Sequence, residues 1–194
     1  MRSKQLAGIT PLLVIGALVL PAAAQAAPHW YVGKAVLTST VTVPTAGSLT
    51  FSSPSEVVKC VVTDSEEIWN PVGGGAGEDW MRAFTATKCK VKTSTAACPK
   101  KGSTPEVLAN GLPWPSFLIP GTPIRDEFLK VRIQVRCNAG AVGQEFEGSL
   151  SPAVEKNKLI FGGPGSGVLE NPAKEKLEVS GKDTLAGKFT ANDP

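Results

Sequence analysis

The chain has 194 residues, 42% of them hydrophobic and 19% charged, with 20 Lys and Arg against 17 Asp and Glu. Two of the basic residues, Arg2 and Lys4, lie in the first 26 positions, and without them the balance is 18 against 17. So even a charge, with no basic run beyond Lys100-Lys101, excludes recognition of nucleic acid through an electrostatic face.

The N-terminus has the layout of an export signal. Arg2 and Lys4 precede an apolar run from Leu6 to Leu20, and small residues follow up to Ala27. The pattern predicts a signal peptide over 1–26 with cleavage near Ala26, and a single mature domain over 28–194. The apolar run is short for a membrane span, which needs roughly 20 residues. No second long run follows, so no membrane span is expected after cleavage and the localisation expected is secreted, outside the cell. All four cysteines, Cys60, Cys89, Cys98 and Cys137, belong to the exported part. An even number in an oxidising compartment reads as two disulfides with three possible pairings. No Cys-x-x-Cys is present and the single histidine, His29, sits at the new terminus, so no metal site and no cofactor are expected.

In chain order, residues 29–43 are rich in β-branched and aromatic side chains and predict one strand or two broken at Gly33. A short strand over 48–51 follows. Residues 56–63 place Val58, Cys60 and Val62 on one face. A weaker strand at 66–70 closes at Asn70-Pro71 and the glycine run 73–77, which reads as a turn. Residues 80–92 alternate, but neither face is cleanly apolar.

Cys89 and Cys98 bracket a small polar loop, and Cys60 and Cys137 each share a strand face with valines. The pairings favoured are therefore Cys60–Cys137 and Cys89–Cys98. Residues 111–125 hold four of the 16 prolines and read as a stiff connection rather than a central strand. Residues 128–137 alternate Val131, Ile133, Val135 and Cys137 against Lys130, Arg132, Gln134 and Arg136, a half-buried strand of an antiparallel sheet. Short strands at 144–151, 158–161, 167–170, 176–180 and 184–190 complete the chain. No helical pattern exceeds two turns. The expected fold is all-β, a single antiparallel sandwich or up-and-down barrel of nine to eleven short strands.

Catalysis by a Ser-His-Asp set needs a histidine held by its surroundings, which a terminal His29 is not. Carboxylate pairs occur at Glu66-Glu67, Glu78-Asp79 and Asp126-Glu127, and Glu145 and Glu147 share a strand face. A glycan-active enzyme would need two of them across a cleft, yet carboxylates are rarely buried and a solvated face is the default. Calcium binding by Asp64, Glu66 and Glu67, or by Glu78 and Asp79, lacks the usual Asp-rich loop. The tryptophans are the better lead. Trp69 and Trp80 flank the glycine loop, Trp114 sits between prolines and Arg125 follows, together a possible binding surface for an envelope glycan or a protein.

The elements Trp69-Asn-Pro-x-Gly-Gly-Gly, Cys89 with Cys98-Pro99, Gly111-Leu-Pro-Trp-Pro115, Ile124-Arg-Asp126 and the strand ending at Cys137 resemble a group of small uncharacterised exported proteins of high-GC Gram-positive bacteria. The resemblance implies a secreted all-β domain and carries no activity or catalytic residues. Together these readings give a secreted, non-catalytic β-domain with a binding or structural role at or outside the envelope. The alternatives are a lipocalin-like carrier of a small apolar ligand and, behind it, a carboxylate-based glycan-active enzyme.

Overall fold

A computed structural model describes residues 26–193. The signal segment expected at 1–26 lies, but for its last residue, outside them. Among the described residues fourteen strands are present: β1 His29–Val32, β2 Ala35–Val36, β3 Val41–Ser52, β4 Val57–Trp69, β5 Glu78–Thr93, β6 Glu106–Asn110, β7 Trp114–Ile119, β8 Arg125–Arg136, β9 Gln144–Leu150, β10 Ala153–Glu155, β11 Lys158–Phe161, β12 Leu169–Glu170, β13 Lys176–Leu185 and β14 Phe189–Asn192. Among the described residues no helix is long and apolar enough to cross a membrane.

Eight of these strands close on themselves. The antiparallel order β3-β4-β5-β7-β8-β9-β12-β13 returns to β3, because β13 pairs with β3 over eight residues from Glu178↔Ser52 to Leu185↔Thr45. The all-β expectation holds, and of its two forms the up-and-down barrel is the one adopted. Closure removes the exposed edges that an open sheet of this size would carry. Between β8 and β13 the wall is built in two stacked pieces. The pair β9–β12 fills one end and β10–β11 the other, where Ala153 meets Arg125 and Leu159 meets Asp183. A separate sheet β14-β1-β2 lies at one end and supplies Trp30, which is fully buried. Asn70 ties that sheet down: its Oδ1 accepts from the Trp30 amide at 2.8 Å, and its Nδ2 donates to the carbonyls of Trp30 and Leu37 at 2.9 Å each.

Strand β8 alternates as its sequence predicts over Val131, Ile133 and Val135, all buried. A bulge between Phe128 and Val131, with Lys130 at φ 56°, then turns Phe128 and Asp126 inward as well. Two of the three register shifts opposite β4 explain the unclear faces of β5. Asp79 and Met81 point inward, the register shifts beside Glu66, Phe84 and Ala86 take over, and a second shift near Lys88 (φ 50°) turns Val91 in.

Three expectations are corrected. Residues 114–119 form a wall strand, β7, between β5 and β8: three of the four prolines flank it, and Pro115, the one inside, faces outward. Strand 66–70 is the continuation of β4, which runs unbroken for 13 residues. The disulfides are Cys60–Cys89 and Cys98–Cys137, in place of Cys60–Cys137 and Cys89–Cys98. Cys60 and Cys89 stand on adjacent strands with their Cα atoms 4.1 Å apart. Cys137 leaves β8, which is separated from β4 in the wall by β5 and β7, so a shared inward face does not bring it to Cys60. The loop after β5 instead folds back to deliver Cys98 to the end of β8. In the chain-entropy picture, loops of 29 and 39 residues make these bridges worth roughly 3.6 and 3.9 kcal/mol.

Candidate functional site

One band of the barrel interior is polar. Thr45 from β3, Asp64 and Glu66 from β4, Asp79 from β5, Ser116 from β7, Asp126 from β8 and Asp183 from β13 all point inward and are buried. On β4, β7 and β13 apolar residues continue on both sides of the band: Val62 and Ile68, Trp114 and Leu118, Val179 and Leu185. The β10–β11 piece closes the remaining wall with Val154 and Leu159. Close approach of β3 to β13 at this level depends on Gly47, where an added Cβ would lie 2.2 Å from the Lys182 carbonyl oxygen and 2.8 Å from Asp183 Oδ1.

The layer divides into two groups. Thr45 Oγ1 donates to Asp183 Oδ2 at 2.9 Å, and the Thr184 amide donates to Asp183 Oδ1 at 2.8 Å. Asp64 is their neighbour. Burial pushes its carboxyl up to about 9, with the charge of Asp183 and a hydrogen bond to it adding to the shift. The second group is Glu66, Asp79 and Asp126, each offering a carboxylate oxygen within 4.8 Å of the others. Ser116 Oγ donates to Asp79 Oδ1. Burial raises Asp79 to about 7, against the lowering effect of the Ser116 hydrogen bond and of the Asp126 carboxyl beside it. Burial, followed by the charge of Asp79, holds both Glu66 and Asp126 well above the usual carboxylate range. The ion pairs of the described residues engage Arg82, Arg132, Arg136 and Lys174, all at the surface, and none reaches this layer. With every carboxyl ionised, neither oxygen of Glu66 and neither oxygen of Asp126 would have a hydrogen-bond donor.

The two acidic sets considered for calcium are thus split by strand alternation: Asp64, Glu66 and Asp79 point in, Glu67 and Glu78 out. The interior set was not legible from frequencies, because carboxylates are seldom buried. One signal was present. Asp64 and Glu66 continue the face of Val58, Cys60 and Val62 towards Ile68, so strict alternation placed them inside. This group is closed to solvent and cannot receive a glycan. Glu145 and Glu147 do lie on the solvent face with Phe146 fully buried opposite, as expected. They line a surface groove with Arg132, Glu170 and Lys174. Glu145 accepts from Arg132 at 2.5 Å and from Asn110 Nδ2 at 2.6 Å, and these bonds hold its carboxyl below its ordinary value, the wrong direction for a general acid.

The tryptophans separate. Trp114 is 2% exposed, its indole Nε1 donating to the Asn110 carbonyl at 2.9 Å and its ring 6.0 Å from Phe84. Arg125 is spent on backbone carbonyls, donating to Ser151 at 2.6 Å and to Pro164. Both leave the expected surface. Trp69 and Trp80 stay together on the outer wall, edge to face with centroids 5.9 Å apart. Arg82, absent from the sequence reading, lies over the Trp80 ring at 4.1 Å and donates from Nε to Glu67 at 2.6 Å. Phe117 on β7 pairs with Glu78 and extends the patch beside Pro115, which pairs with Trp80. Trp80 is 39% and Phe117 36% exposed. The acids Glu67, Glu78 and Glu127 surround them.

The barrel has no room for a lipocalin-like ligand. Its interior cavity, bordered by Leu49, Phe51, Asp64, Met81, Phe84 and Phe128, measures about 20 Å³, the space of one water. Fold and sites define a disulfide-stapled up-and-down β-barrel with a filled core, an interior acidic layer and an aromatic patch on its wall. Comparison with protein families, with curated proteins and with solved structures gives no match for this chain.

Proposed function

We propose that the protein is an exported, non-catalytic binding domain that acts at or outside the envelope and docks a protein partner on the Trp69–Trp80–Phe117 face. The observation that carries this reading is the placement of Trp80 and Phe117, both more than a third exposed, at diagonal positions on the outer face of two paired strands. Aromatic residues and arginine dominate the energetics of protein interfaces, and rings fixed in advance lose little entropy on binding. Arg82 covers one face of Trp80 and Trp69 abuts it. A sugar stacks on a free ring face, so a protein pocket that receives a clamped ring fits this site better than a glycan does. The flanking Glu67, Glu78 and Glu127 call for a partner with a basic rim, and association should weaken as salt rises.

The test places a benzophenone amino acid at Phe117 and, as a control, at the fully exposed Val142, in the secreting host. A protein adduct from position 117, lost on Trp80→Ala and absent from position 142, supports the reading. No adduct, or an adduct indifferent to Trp80→Ala, overturns it.

A further inference from the structure

We propose that Glu66, Asp79 and Asp126, together with the hydroxyl of Ser116, form an interior binding site for one divalent cation of the hard, oxygen-preferring class, with Ca²⁺ the best fit. The three carboxylates come from three different wall strands, β4, β5 and β8, and converge within 4.8 Å. Ligand atoms on opposite sides of a calcium ion stand about 4.6–5.2 Å apart, so little movement would bring these oxygens around one.

Convergence of acids is not by itself a site. The independent observation is Glu66: its side chain is 0% exposed, it reaches the group, and both of its oxygens lack any hydrogen-bond partner. A chain selected only for stability has an apolar side chain available at such a position, and burying a carboxyl without partners is costly. No described arginine or lysine compensates, since those that form ion pairs do so at the surface. A cation would satisfy Glu66, Asp126 and the free Oδ2 of Asp79 at once. The choice of ion follows from dryness. Mg²⁺ sheds its waters reluctantly and keeps several in most sites, whereas Ca²⁺ accepts a cage of protein oxygens. The residues of the group are fully buried and the neighbouring cavity holds about 20 Å³. Soft metals are disfavoured, because the ligand set contains neither thiolate nor imidazole.

Because the site is closed, the ion enters during folding. The protein, disulfides intact, is unfolded in guanidinium and refolded in CaCl₂, in MgCl₂ or in EGTA, then dialysed, its metal content measured and its melting temperature recorded. The expected result is about one calcium per chain and a melting temperature roughly 5–15 °C above that of the EGTA sample. Glu66→Gln and Asp126→Asn keep the shape, should melt higher than wild type in EGTA because a buried acid is gone, and should lose the calcium response. Equal melting in calcium and EGTA with no retained metal overturns the site, and so does calcium retained undiminished in both variants. A shift with magnesium and none with calcium overturns the choice of ion.

Discussion

Thr45 Oγ1 donates to Asp183 Oδ2 at 2.9 Å across the β3–β13 seam that closes the barrel. Both side chains are buried, and the two residues are 138 positions apart in the chain. The bond therefore joins the first barrel strand to the last and satisfies a carboxylate that has no cation beside it. Thr45→Val preserves shape and removes the donor, leaving a buried acceptor unmet at a cost of about 1–3 kcal/mol. The expected fall in melting temperature is roughly 2–10 °C by calorimetry. An unchanged melting temperature would mean that Asp183 is held by its other contacts alone.

The acidic layer makes the metal-free chain more stable in acid. Folded, Asp79 titrates at about 7, Asp64 at about 9, and Glu66 and Asp126 well above the ordinary range. Unfolded, all four revert to about 4. Between those values the folded chain holds more protons, so the contribution is full below the unfolded values and is lost as pH rises through the folded ones. Thr45, Ser116 and Asp183 are the other buried polar groups of the layer, and among the described residues no base is buried with them. Each retained proton weakens stability by about 1.4 kcal/mol per pH unit. In EGTA the melting temperature should fall by at least about 3 °C per unit between pH 5 and 8. A flat or rising profile there contradicts the layer's protonation. If calcium is bound, the slope flattens in its presence, because the ion displaces the protons of Glu66, Asp79 and Asp126 while Asp64 keeps its own.

The bridges Cys60–Cys89 and Cys98–Cys137 predict two cross-linked peptides in a non-reducing digest, and recovery of a Cys60–Cys137 peptide would contradict the barrel order. The two should also differ in what they hold. Cys60 and Cys89 lie within the paired strands β4 and β5, whereas Cys98–Cys137 fastens a loop. Removing the second pair as Cys98→Ser with Cys137→Ser should cost on the order of 2–4 kcal/mol. It should also free residues 94–103 to proteolysis while the barrel stays folded, as read by denaturant unfolding and limited digestion.

How far the sequence reached is clearest in β8. Its alternation over Val131, Ile133 and Val135 needed only the period of a strand, and it survives intact. The inward turn of Phe128 and Asp126 needed the bulge at Lys130, which alternation alone does not reveal. Strand β5 was unreadable for the same reason, twice over. Cysteine partners depended on which strands are neighbours, a property of closure and not of any local pattern. That Trp69 and Trp80 are neighbours follows from their flanking one hairpin, whereas the approach of Arg82 and Phe117 depends on pairing across strands. The interior acids were misplaced by a rule that is right for most carboxylates and wrong for this buried layer.

The barrel holds two kinds of glycine. Gly47 sits where β3 passes β13, and an added Cβ would meet the Lys182 carbonyl oxygen at 2.2 Å and the Asp183 Cα at 2.7 Å, both backbone atoms that cannot swing aside. Gly73, in the hairpin turn between β4 and β5, has φ +94° and nothing within 4 Å of a built Cβ. At Gly73 alanine meets only conformational strain, about 1 kcal/mol. At Gly47 it must push two wall strands apart at the seam, displacing Asp183 and its bond to Thr45, for about 3 kcal/mol or more. Gly47→Ala should therefore unfold at clearly lower denaturant than Gly73→Ala, and its amides along β3 and β13 should lose hydrogen-exchange protection first. Equal midpoints for the two variants would mean that the seam is looser than the close approach of β3 and β13 requires.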